Sequence, residues 1–441
     1  MADGLAFHQA PPLSAPLRFF LTAPWFGLAA AAVLAWGGPA ALASRWTPAT
    51  LAATHLLTLG MLSMTMVGAL IQLLSVVAGA PLRHPHRVAG IVHVCLTLGT
   101  ALLATGFLGF PLLLTAALPL LVTAFAVLIV SAAQSLWTSS ASGPTPAAIG
   151  LSLFALAVTV GFGLLLGLAY SGHLPASQRW LADLHPTWGM VGWIGILAAG
   201  VSYQVVPMFQ MTPPYPPRLT RWLAPGLLTA LAGLSAAAPF AAEGLSLPFG
   251  LAGAAVAAGL VLYGATTLAL QHRRRRSRSN PQFAFFRIGM ASLLGAGGFW
   301  ATAQAFPNLG QRPEYPLLLG VLMLGGFALS LVIGMLYKIV PFLVWLHLRQ
   351  RAPKLARLLP TLERILPEAR GRINVRAHLA TLITALGAAM MPSLVYLASL
   401  ALAAASVWLG ISLAQAARTL HSATPPNAGK VKDAGEPSAP G

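Results

Sequence analysis

The chain has 441 residues, of which 57% are hydrophobic and 8% charged, with a mean hydropathy of +0.77 and a formal net charge of +18. A soluble domain carries about 25% charged residues, so this composition cannot cover a water-facing surface. The arginines fall between apolar runs rather than along one basic face, which argues against nucleic acid and for the positive-inside pattern of a membrane protein.

The apolar runs reach the roughly 20 residues that cross a bilayer core. None alternates with the period of a membrane barrel strand, so helices are the spanning elements. In chain order the expected spans are about 17–38, 50–79, 88–109, 111–136, 148–170, 183–210, 222–241, 247–271, 284–305, 315–346, 375–396 and 398–417. Residues 1–16 lack the basic n-region and cleavage site of a signal peptide and read as a cytoplasmic segment. One side receives Arg83, Arg87, Arg218, Arg221, the run Arg273 to Arg276 with Arg278, and the loop from Arg349 to Arg376; the other holds only Arg45, Arg179 and Arg312. This asymmetry places both termini in the cytoplasm of a cell with a bacterial-type inner membrane. Leu355, Leu358, Leu362 and Ile365 outline an amphipathic surface helix in the long loop. Residues 418–441 read as a disordered tail. The single cysteine, Cys95, excludes an intrachain disulfide and any CxxC motif.

An internal repeat organises residues 17–417. The segments Gly68-Ala-Leu-Ile-Gln72-Leu-Leu-Ser75, Gly200-Val-Ser-Tyr-Gln204-Val-Val-Pro207 and Gly334-Met-Leu-Tyr-Lys338-Ile-Val-Pro341 fall in spans two, six and ten. Their glycines are 132 and 134 residues apart, span starts keep nearly the same period, and His55 and His185 are 130 apart. The expected fold is therefore all-α, with three four-helix units (17–136, 148–271 and 284–417) related by a pseudo-threefold axis. Common twelve-helix transporters are instead two six-helix halves. The bland reading is that apolar sequences match one another easily.

Four histidines lie inside spans: His55 and His185 near the outer surface, His93 and His378 near the cytoplasm. Two histidines at one depth on different helices are what bis-imidazole haem ligation needs, so the pairs His55 with His185 and His93 with His378 are the candidate ligand sets. Satisfied interhelical hydrogen bonds are the alternative for each. Nearby Gly60, Gly99, Gly189, Gly192 and Gly387 leave room for a flat macrocycle or for close helix packing. Gln72, Gln204 and Lys338 occupy equivalent places and form an expected polar ring in the inner half of the bundle, unless Lys338 simply snorkels. On an ideal helix His55 and Gln72 differ by about 260°, so histidine and ring face different ways. All eight acidic residues lie in tails, loops or at helix ends, which weakens a proton-driven transporter. No phosphate loop, nucleophile elbow or HExxH motif is present. Met61, Met64, Met66, Met208 and Met211 suit Cu(I), although helical methionine in lipid is more often packing.

The threefold plan, with Thr54-His-Leu-Leu-Thr-Leu-Gly60 running on to Gly68 in span two and His185 in span six, resembles the haem-copper oxidase subunit I superfamily and its NnrS-like relatives. The resemblance implies His55 as a low-spin haem ligand and His185 as the first copper ligand, with b-type haem, copper and respiratory or homo-oligomeric partners. The chain departs from the pattern: position 189 is Gly where a tyrosine belongs, span seven lacks a His-His pair, and span ten has no histidine before His347. The expected function is haem binding for electron transfer or nitric oxide handling, without a complete oxygen-reducing centre. The competing reading is a permease with a polar path at Gln72, Gln204 and Lys338.

Overall fold

The computed structural model describes residues 10–140, 142–175, 178–275, 280–351 and 359–422. Among them there is no strand. Twelve helices are long and apolar enough to cross a membrane: α1 Ser14–Ala41, α2 Pro48–Val76, α3 Pro85–Phe107, α4 Pro111–Thr138, α5 Pro144–Tyr170, α6 Arg179–Gln210, α7 Pro217–Ala242, α8 Leu247–His272, α9 Pro281–Ala305, α10 Glu314–Gln350, α11 Glu368–Met390 and α12 Pro392–Leu420. The protein is a polytopic α-helical membrane protein.

Proline sets many of the boundaries. Seven of the twelve helices begin at proline, whose missing N–H is no loss in the first turn. Thr47 and Asn280 cap α2 and α9 by accepting from Thr50 N and Phe283 N. The largest departure from expectation is α11, which starts at Glu368 and stops at Met390 rather than covering 375–396. Pro392 disfavours the helical conformation at Met391, which turns the chain six residues early. The Arg349–Arg376 loop has a four-residue helix, Leu362–Ile365; Leu355 and Leu358 of the expected amphipathic helix lie outside the described residues.

Helix packing closes a ring of three units. The last helix of each unit packs on the first of the next: α4 on α5, α8 on α9, and α12 back on α1. Inside that ring stand α2, α6 and α10. Of their apolar stretches, 83% of α2 and 72% of α6 is buried, against 44% or less in every other helix. Each inner helix packs on the first helix of its own unit through glycine. A Cβ on Gly68 would meet Phe19 Cβ at 2.9 Å, one on Gly200 would meet Ala148 Cβ at 2.3 Å, and one on Gly334 would meet Phe285 Cβ at 2.7 Å. A second layer lies eight residues earlier in each unit: Gly60 against Phe26, Gly192 against Ala155 and Gly326 against Ser292. The partners are also seven residues apart in every unit, so both sides of the contact repeat in register.

The second glycine layer falls within π-helical segments, Leu56–Ser63, Trp188–Gly195 and Val321–Leu329. Wider turns of this kind are rare and recur at functional sites. All three inner helices carry one at the same place in the repeat.

Candidate functional site

His55 closes the last α-helical turn of α2 before its π-helical segment, and His185 lies three residues before the corresponding segment of α6. The structure brings the two together. Their ring centroids are 6.3 Å apart and their planes 18° from parallel. Strict repeat symmetry would not do this. The π-helical segments start 132 residues apart, so the partner of His55 in register is Thr187, and His185 is displaced by two residues. Two residues turn a side chain by about 200° around a helix. That slip points His185 back toward unit one, where an exact equivalent would turn away.

Both imidazoles are held the same way. His55 Nδ1 lies 2.8 Å from Leu51 O, and His185 Nδ1 lies 3.1 Å from Thr159 O. A carbonyl oxygen only accepts, so each Nδ1 carries the proton and each Nε2 keeps its lone pair. Gly163 of α5 makes room for His185: a Cβ there would sit 3.0 Å from the ring's Cε1. Phe107 of α3 packs on His55 with centroids 5.1 Å apart, and Tyr170 of α5 packs on Phe107 at 5.2 Å. The site thus lies off the axis, between units one and two, walled by α2, α3, α5 and α6.

Arg45, in the loop between α1 and α2, pairs with Asp183, two residues before His185, and stacks 4.2 Å over Trp46. The pair ties unit one to unit two beside the histidines. Both side chains are partly exposed, at 34% and 49%. A double-mutant cycle of Arg45→Gln with Asp183→Asn should therefore give a coupling below about 1 kcal/mol that weakens with salt. A salt-independent coupling of several kcal/mol would show a desolvated pair instead.

The other membrane histidines do not meet. His93 Nε2 lies 2.9 Å from Thr22 Oγ1, whose own proton goes to Arg18 O, so His93 donates. His378 Nε2 lies 2.8 Å from Ser330 Oγ. The rings pack on Phe19 and Phe285 respectively, which are equivalent positions of units one and three. These two histidines occupy matching places in different units, each bonded within its own.

Gln72 is buried with its Oε1 unpaired, Gln204 is half-buried, and Lys338 Nζ lies 5.4 Å from the Phe209 ring centre at the end of α6. The three occupy equivalent positions in the repeat, and none lines the cavity between the inner helices. Unit two carries a hydroxyl network that the sequence did not flag: Ser202 with Tyr263 at 2.7 Å, Tyr215 with Thr267 at 2.8 Å, and Gln271 donating to Gln210 at 2.7 Å. Burial raises the Tyr215 hydroxyl well above the usual tyrosine range. No three His, Cys, Asp or Glu side chains gather closely enough to hold a metal ion among the described residues.

Compared with models of known protein families the chain matches none, and no curated protein matches it either.

Proposed function

We propose that His55 and His185 together hold one b-type haem between units one and two, and that the protein transfers electrons within a bacterial-type inner membrane. The observation that carries this reading is the paired geometry: two neutral imidazoles from different helices, 6.3 Å between centroids, each with Nδ1 bonded to a carbonyl and Nε2 free to donate. Two imidazoles with no third ligand beside them among the described residues would suit a haem better than a protein-only metal site, which needs three or four side chains. The haem would supply a one-electron couple. His55 and His185 would hold it: the Leu51 and Thr159 carbonyls fix their tautomer and raise their basicity, Gly163 leaves room for the His185 ring, and Phe107 packs against His55.

With both histidines as its ligands, a haem would supply one-electron transfer rather than oxygen reduction or gas binding. The arginine asymmetry, read as positive-inside, puts the site toward the outer face with both termini cytoplasmic. A reduced spectrum taken with and without carbon monoxide tests the ligation. A low-spin spectrum indifferent to carbon monoxide is expected. A large carbon monoxide shift would mean an open coordination position, and the bis-histidine assignment would fall.

A further inference from the structure

We propose that the cavity between α2, α6 and α10 on the pseudo-threefold axis is a dry binding site for a small apolar molecule, of the class of a dissolved non-polar gas. The cavity measures about 90 Å3. It is walled by repeat-equivalent positions of all three inner helices, with Phe286 of α9 beside them. Two successive layers show how the space arises. One layer is Met66, Ala198 and Val332; the next is Ala69, Val201 and Met335. Each combines one methionine, one valine and one alanine, with the large and small residues exchanged between units. Ala69 and Ala198 remain only half-buried although they face the axis, because they border this space.

Water has little to hold it there. The two hydroxyls in the wall are already committed: Thr65 Oγ1 donates to Met61 O at 2.8 Å, and Ser202 Oγ pairs with Tyr263 Oη at 2.7 Å. A buried water needs two to four polar partners, and apolar cavities without them stay dry and take up apolar guests. The flexible methionine in each layer can shift to admit a guest from the surrounding hydrocarbon. The cavity is lined by neither His55 nor His185, so the inference stands apart from the haem reading.

Xenon is the probe. Crystals of the full chain, pressurised with xenon, should show a peak between the two Met–Ala–Val layers. Ala69→Leu, which fills the space, should lose that peak; Ala198→Val, a milder filling, should reduce it if the first variant does not fold. The readout needs no haem, so failure of the haem reading leaves it intact. Absence of xenon from the wild-type cavity, a peak that persists in the filled variant, ordered water in its place, or a lipid chain that xenon does not displace would each overturn the proposal.

Discussion

Gly200→Ala is expected to destabilise the bundle by about 1–3 kcal/mol, the cost of overpacking a close contact. The new Cβ would lie 2.3 Å from Ala148 Cβ on α5. A methyl fixed to the backbone cannot rotate away, so α5 and α6 must separate. That separation also stretches the 2.9 Å hydrogen bond from Thr145 Oγ1 to Gly200 O. Gly298→Ala is the control, because a Cβ there meets nothing within 4 Å. It should leave stability within about 1 kcal/mol of the wild type. Thermal unfolding in detergent, followed by tryptophan fluorescence, separates the two. Equal melting temperatures for the variants would mean that the inner helices are not seated on their glycines.

The second large effect concerns the histidines. His55→Ala and His185→Ala should each remove bound haem almost completely, and the double variant should lose no more than either single one. Residues that act as one unit are non-additive, since a ligand pair fails when either half is gone. His93→Ala and His378→Ala should keep their haem. Each deletes an interhelical hydrogen bond and so costs stability, on the order of 1–3 kcal/mol where a buried partner is left unpaired. Haem-to-protein ratios of the four single variants, measured beside their melting temperatures, distinguish ligand from packing residue. Loss of haem from His378→Ala with retention in His55→Ala would reverse the assignment.

Much of this architecture is legible in the sequence. Long apolar runs give the twelve helices because a bilayer leaves the backbone no other way to satisfy its hydrogen bonds. The period of Gly68, Gly200 and Gly334 gives the three units because each glycine seats an inner helix on its neighbour. Gly60, Gly192 and Gly326 were visible at the same offsets, but only the contacts with Phe26, Ala155 and Ser292 reveal them as a second layer. The π-helical segments left no such signal. They arise from how three inner helices pack, and they upset phase arguments that assume 100° per residue along the whole of α2. The 130-residue spacing of His55 and His185 looks like part of the repeat, yet its two-residue shortfall is what turns the rings toward each other. Gln72, Gln204 and Lys338 share a sequence period, but the axial cavity is walled by other residues of the same helices. Position in a repeat fixes equivalence; helix phase decides what a side chain faces.

Haem binding is read from the visible absorbance of the wild-type protein, purified from cells supplied with haem, before and after dithionite. A Soret band at one haem per chain and a sharpened α-band on reduction are expected. Protein that is folded and monodisperse yet has no Soret absorbance would contradict it.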